Sequence, residues 1–259
     1  MSDPILLRQD DNGIARLTLN RPKQRNALSL GLMAALQDEI VSIAADRSVH
    51  VVILDAAGPG FCAGHDLKEV RANPGRSNYE SLFEQCSSLM TGIVRLPKPV
   101  IASVHGIATA AGCQLVASCD LAVAGAEARF ATPGVNIGLF CSTPMVALSR
   151  NVAAKHAMEM LLTGEMIDAQ QALAFGLVNR VVAQDDVANA TQELAATIAS
   201  KSPLTLAVGK EAFYRQLEMP LDDAYIYASK VMTENMLARD AEEGIDAFLE
   251  KREPVWKGE

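Results

Sequence analysis

Short apolar strands that alternate with helical runs, separated by turns rich in glycine, constrain the fold of this chain most tightly. Ile14 to Leu19 alternates apolar and polar residues after the turn at Asp11, Asn12 and Gly13, and Asn20, Arg21 and Pro22 end it. Ser29 is placed to cap the run LGLMAALQDEIVSIAAD, whose apolar residues recur at helical spacing, and His50 to Asp55 then reads as a buried β-branched strand. Gly58, Pro59 and Gly60 break that strand before FCAGHDLKEV, and a helix follows that ends near Arg95. The plan repeats: Pro99 to Val104 is a strand, Gly106 and Gly112 bracket a turn, and Cys113 to Cys119 starts a helix. Asp120 to Ala124 and Arg129 to Thr132 read as strands, followed by a loop through Gly138 and a helix over Met145 to Val152. From Ala154 the pattern is helical, through KHAMEMLLTG and DAQQALAFG to two long helices between Asp186 and Glu250.

Strands early and helices late define an α/β chain. No linker rich in Pro, Gly or Ser divides it, so residues 1–195 are expected to form the core and 196–259 a helical region of the same domain, packed on a neighbouring subunit. With 49% hydrophobic and 21% charged residues in 259, the chain has ample material for a core. Its formal net charge of -8 repels nucleic acid and anionic membranes at long range, so neither is expected as a partner, and an anionic ligand must be met by local basic groups. Five cysteines without a CxxC pair read as reduced thiols, and the N-terminus shows no basic segment followed by an apolar run. These features set the expectation of a cytoplasmic protein. The acidic runs Asp185-Asp186, Asp222-Asp223 and Glu242-Glu243 lack neighbouring His or Cys at ligand spacing and read as solvated helix faces, so no metal is expected. Met158 and Met160 read as core packing, and His105 as a hydrogen-bonded core residue.

Two segments offer backbone chemistry. CAGHD at Cys62 to Asp66 follows a buried strand, and GIATAAGC at Gly106 to Cys113 enters a helix; small residues in both let a ligand approach main-chain N–H groups. Either alone is explained as a tight turn. Paired N–H donors are what a thioester carbonyl needs when charge develops on its oxygen.

The chain resembles the crotonase superfamily of enoyl-CoA hydratases and isomerases nearly end to end. The resemblance is carried by LNRPKQRNAL, FCAGHDLKE, KPVIASVHGIATAAGCQL, the Cys119-Asp120 pair, FATPGVNIGL and AFLEKREPVW. It implies a right-handed spiral of repeated ββα units, with C-terminal helices completing homotrimers or dimers of trimers. It implies a coenzyme A thioester as substrate or ligand and no permanently bound cofactor. It places an oxyanion hole at the N–H groups of His65 and Ala111, sets Lys23, Gln24 and Arg25 beside the CoA, and lines an adenine pocket with Ala63, Asp66 and Leu67. It also lets Phe248 and Lys251 reach a neighbouring subunit's ligand.

The departures concern proton transfer. Family hydratases use two glutamates; here those positions are Gln114 and Gly134. An amide takes no proton near neutral pH and glycine has no side chain, so hydration is expected to be weak unless other groups act. His65 can serve as acid or base, Ser142 and Cys141 can face the acyl group, Asn136 and Gln114 can hold a water, and Asp120 suits a capping or turn role. The expected function is an acyl-CoA-binding protein with hydratase or isomerase chemistry. The alternatives are a non-catalytic acyl-CoA-binding or regulatory protein and an acyl-CoA thioesterase.

Overall fold

The computed structural model describes residues 3–259. The chain opens with a hairpin of β1 (Leu6–Asp11) and β2 (Ile14–Leu19), joined through Asn12 and Gly13 at φ of 48° and 79°. Left-handed φ at both central residues is what a two-residue hairpin turn requires. β1 is largely exposed and polar, which is why its pattern does not announce a strand.

After α1 (Leu30–Ala45), whose first turn is capped by the Ser29 hydroxyl accepting from the N–H of Leu32 at 3.2 Å, three units follow the same plan. The first is β3 (Val51–Ala56), β4 (Gly60–Cys62), α2 (Leu67–Ala72) and α3 (Arg76–Arg95). The second is β5 (Val100–Val104), β6 (Ile107–Thr109) and α4 (Ala111–Ser118). The third is β7 (Leu121–Gly125), β8 (Arg129–Ala131), α5 (Ser142–Asn151) and α6 (Ala154–Thr163). Then come β9 (Ile167–Asp168), α7 (Ala169–Phe175) and β10 (Arg180–Val182).

Each unit gives one strand to each of two sheets. The larger has the order β1-β2-β3-β5-β7-β10 and is parallel except for β1; the smaller has the order β4-β6-β8-β9 and is parallel except for β9. The central strands of the larger sheet are covered on both sides: every residue of β5 is buried, and so are Val51 to Leu54 of β3. Parallel strands with helices over their faces require such continuous apolar runs. Phe61 of β4 and Phe130 of β8 are fully buried and fix the small sheet on the core.

The C-terminal region contains four helices where sequence periodicity suggests two long ones: α8 (Val187–Ala199), α9 (Pro203–Gln216), α10 (Leu221–Met236) and α11 (Arg239–Glu250). Ser202 caps α9 ahead of Pro203, and Pro220 precedes α10. Helical periodicity runs on across such breaks because each new helix keeps an apolar face. α9 is pinned by Lys210, whose ammonium donates to Asp120 at 2.7 Å and to the carbonyls of Lys98 at 2.9 Å and Ile93 at 3.0 Å; the Tyr214 hydroxyl donates to the same carboxylate at 2.9 Å. Asp120 also accepts from the N–H of Val100. It is therefore a clamp between sheet and helix, a role beyond the capping or turn role read from its sequence position.

Met160 is buried, but Met158 is 49% exposed, a correction to its reading as core; the two alternate around α6 and only one face of that helix meets the core. His105 lies just past β5 and its Nε2 bonds the carbonyl of Gly58 at 2.7 Å.

Candidate active site

Because β4, β6 and β8 are adjacent parallel strands, the three segments that leave their carboxyl ends are neighbours. These are Ala63 to Asp66, Ala110 to Ala111, and Thr132 to Gly134. Residues separated by tens of positions in the chain are thus brought to strand spacing, about 4.8 Å per step.

The first segment is oriented by a single bridge to Leu28. The N–H of Leu28 donates to Gly64 at 2.8 Å and the N–H of Asp66 donates back to Leu28 at 3.1 Å. Both partners of this bridge flank His65, so the main-chain N–H of His65 points to the opposite side and has no acceptor among the described residues. On that side lies α4. A Cβ on Gly64, itself at φ 91°, would stand 3.3 Å from the nitrogen of Ala111 and 2.9 Å from the Cβ of Ala110. A Cβ on Gly112 would overlap the carbonyl of Cys62. Only two glycines facing each other's segments allow this approach.

Ala111 is the first residue of α4, where N–H groups have no intrahelical partner. The N–H of Ala110 goes to Ala131 at 2.9 Å and the first turn closes from Gln114 to Ala110 at 3.0 Å, leaving the N–H of Ala111 without an acceptor among the described residues. Ala110 holds φ 50° and ψ -118°, a conformation an L-residue adopts only under constraint. The strain sits beside the unpaired N–H.

The side chains around these donors are mostly neutral. Gln114 is buried, with its Oε1 3.9 Å from the Cys86 thiol. Gly134 lies against its own loop: a Cβ there would stand 2.5 Å from the carbonyl oxygen of Leu139 and 2.9 Å from Cys141 Sγ. Burial pushes the thiols of Cys62 and Cys113 up to about 12 and that of Cys86 to about 11, and raises Cys141 as well, so all four stay protonated at neutral pH. Ser142 is exposed and its hydroxyl donates to the carbonyl of Phe140 at 3.3 Å, and among the described residues it is hydrogen-bonded to no basic side chain. Asn136 reaches the carbonyl of Gly164 at 3.5 Å. His65 is different. Its imidazole is held neutral because burial lowers its pKa below the ordinary value, against a smaller opposing effect of the Leu28 main chain, and neither buried ring nitrogen has a partner at hydrogen-bond distance and angle.

Lys23, Gln24 and Arg25 are exposed in the turn that follows β2, and Arg25 accepts at its carbonyl from the N–H of Ala63, so this turn adjoins exposed Ala63 and Leu67. Lys23, Arg25, Lys68 and Arg71 have no acidic partner among the described residues. Asp66 is not free: it pairs with Arg21 at 2.9 Å and caps α2, and the Arg21 bond holds its carboxyl below the usual range. Phe248 is 83% exposed and Lys251 is exposed at the end of α11. A cavity of about 220 Å³, which sequence reasoning did not locate, opens between α1, α2 and α3 and is lined by Leu30, Glu69, Val70, Asn73, Tyr79 and Leu82. Met90 is core, and Leu139 and Phe140 lie exposed in the loop before α5. No cluster of three or more His, Cys, Asp or Glu side chains is placed to hold a metal among the described residues.

The two-sheet spiral and the paired turns are those of the crotonase fold, and the model of the family described as enoyl-CoA hydratase/isomerase matches residues 9–259. The chain belongs to that family. Within it, the chain is 50% identical over 253 residues to enoyl-CoA hydratase domain-containing protein 3, mitochondrial, of Xenopus laevis, covering 98% of this chain and 86% of that one. The crystal structure of the human enoyl coenzyme A hydratase domain-containing protein 3 matches with a TM-score of 0.95 and 49% identity over 98% of this chain and all (100%) of that one. The crystal structure of an enoyl-CoA hydratase from Mycobacterium smegmatis matches with a TM-score of 0.96 and 54% identity, over 98% and 99% of the two chains.

The expectation of a cytoplasmic protein is corrected by these relatives, which from frog, human and rat alike are named as mitochondrial. Organelle addresses reside in targeting segments rather than in the folded domain, so core composition and cysteine content carry no information about them.

Proposed function

We propose that the chain binds acyl-CoA thioesters with the carbonyl oxygen between the N–H groups of His65 and Ala111, and catalyses hydration or double-bond migration of an enoyl-CoA. The observation that carries this reading is the pair of unpaired N–H groups on adjoining turns, held together by Gly64 and Gly112. Donors fixed where negative charge develops act without reorganisation and are worth several kcal/mol. The unpaired cations Lys23, Arg25, Lys68 and Arg71 supply local positive charge for the CoA phosphates on an otherwise acidic chain. Leu221, Tyr225, Ile226 and Met232 are exposed along α10, which supports self-association of the chain, as trimers or paired trimers. Phe248 and Lys251 would then face a neighbour's ligand. No bound cofactor is needed for this chemistry.

A non-catalytic binding role is the second reading. It is favoured by Gln114 and by the loop packed over Gly134, which leave neither usual carboxylate. Adding purified protein to crotonyl-CoA and to 3-enoyl-CoA thioesters separates the two. Loss of the conjugated-thioester absorbance, or its appearance from the 3-enoyl substrate, at one turnover per second or faster (about the lower end of the enzyme range) supports the catalytic reading. Tight binding without either change rejects it in favour of the binding role.

A further inference from the structure

The resemblance puts Gln114 and Gly134 where the family has its glutamates, and beside them His65 carries a buried titratable side chain with both ring nitrogens unpartnered. His65 supplies one of the two unpaired N–H groups, and its imidazole springs from the same residue. Both ring nitrogens are buried and neither finds a partner among the described residues. Burying a neutral imidazole with its donor and acceptor unmet costs free energy, and a group left so in a native fold calls for a functional explanation. The ring is covered by Phe83 of α3, edge to face, with centroids 5.9 Å apart and planes at 74°; Phe83 is itself 43% exposed.

Among the described residues no charged group is hydrogen-bonded or ion-paired to the imidazole. On its own segment Asp66 is paired with Arg21, and on α2 Glu69 accepts from the N–H of Leu30 at 2.9 Å. α3 presents Phe83, and the segment at Leu28 presents main chain. The remaining titratable groups of the site, the thiols of Cys62, Cys86, Cys113 and Cys141, are held protonated by burial.

We propose that the imidazole of His65 is the proton carrier of this site, taking a proton from the α-carbon of an acyl-CoA whose carbonyl oxygen is held by the N–H groups of His65 and Ala111. This rests on the reading of the site given above. The α C–H bond breaks, its electron pair forms the enolate double bond, and the carbonyl π pair moves to the oxygen between the two N–H groups. Neutral imidazole becomes imidazolium. When the imidazolium trades that proton with solvent and reprotonates the same carbon, the α-hydrogen is exchanged; from a 3-enoyl-CoA, protonation at the γ-carbon instead moves the double bond and gives the 2-enoyl-CoA. No further reagent is consumed. The α-carbon is two bonds from an oxygen lying about 2.9 Å from the N–H nitrogen of the residue that carries the imidazole.

The test is proton exchange, which needs no net turnover. Butyryl-CoA is incubated with the protein in D2O and loss of its α-CH2 signal is followed by NMR, with binding measured by calorimetry. The wild type is expected to exchange at a rate that is level at neutral pH and falls on acidification with a midpoint below about 6.5, the ordinary histidine value. His65→Gln keeps the main-chain N–H but not the base; it is expected to bind butyryl-CoA within threefold of wild type and to exchange roughly 10²-fold more slowly or less. Exchange by His65→Gln at the wild-type rate, or binding without exchange by the wild type, overturns the proposal. Should the variant not fold, the wild-type pH profile decides alone: a rate without an acid limb overturns it. Failure of the wild type to bind butyryl-CoA overturns the acyl-CoA reading itself, and the proposal with it.

Discussion

The N–H of Leu139 donates to the carbonyl of Gly134 at 2.9 Å, and a Cβ on Gly134 would stand 2.5 Å from the carbonyl oxygen of Leu139. The position that the resemblance assigns to the second family glutamate is thus occupied by the main chain of the loop that follows it. Restoring a side chain there must displace that loop. Gly134→Glu is expected to destabilise the fold by about 1–3 kcal/mol, as overpacking does, and to add no hydration activity. Gln114→Glu meets no such obstacle and restores one acid-base group, so it is expected to raise crotonyl-CoA hydration by roughly 10²-fold. Initial rates and denaturant midpoints of the two single variants check both points. Equal gains from the two would show that the loop at Leu139 yields readily.

Gly112 and Gly209 make a controlled pair. A Cβ at Gly112 would overlap the carbonyl of Cys62, whereas at Gly209, inside α9, nothing lies within 4 Å. Gly112→Ala is expected to cost about 1–3 kcal/mol and to separate the two turns of the site, lowering turnover as well. Gly209→Ala is expected to add about 0.5–1 kcal/mol of stability with activity unchanged. Thermal melts and crotonyl-CoA rates on the two proteins test the contrast.

Much of this was legible in the chain. Ser29, the strand at His50 to Asp55 and the glycines around CAGHD and GIATAAGC mark local events, and local pattern is what turns and caps depend on. The family resemblance also assigns His65, Ala111, Gln114 and Gly134 to one site. What was not legible is non-local. Leu139 over Gly134, Phe83 over His65 and the pairing of Asp66 with Arg21 arise from segments meeting across the fold. β1 was missed because its side chains are mostly polar and exposed, and Met158 was misplaced because hydrophobicity alone does not say which side of a helix is covered.

Lys210 and Asp120 form a largely buried pair, with side-chain exposures of 6% and 15%. Removing Lys210 leaves the Asp120 carboxylate without its counter-ion, held only by the Tyr214 hydroxyl and the Val100 N–H. Lys210→Met is expected to cost about 3–5 kcal/mol, and Tyr214→Phe, which removes one hydrogen bond to a charged group, about 1.5–3 kcal/mol. Urea unfolding measures both. A Lys210→Met protein as stable as wild type would mean that Asp120 is solvated.

Acidification should expose the state of His65. Its folded pKa lies below the unfolded value because burial disfavours the charged form. As pH falls through the ordinary range near 6.5, the unfolded chain takes up a proton that the folded chain does not. Stability from this residue is therefore full at higher pH and is lost as pH drops from about 6.5 towards the folded pKa, by at most about 1.4 kcal/mol per unit. Below the folded pKa the loss stops growing. Asp66 and Asp240, whose pKa values are lowered, contribute a separate loss below about pH 4, the ordinary aspartate range. Urea midpoints at pH 7.5 and 5.5 are expected to differ more for wild type than for His65→Gln; equal differences would show that the buried imidazole titrates normally.

The most direct measurement is difference infrared spectroscopy of butyryl-CoA labelled with carbon-13 at the carbonyl, free and bound to the protein. Two main-chain N–H groups at His65 and Ala111 that grip the thioester oxygen draw electron density toward it, so the labelled carbonyl stretch should move to lower wavenumber on binding. A bound ligand whose carbonyl stretch stays at its value in water would contradict an oxyanion hole at this site.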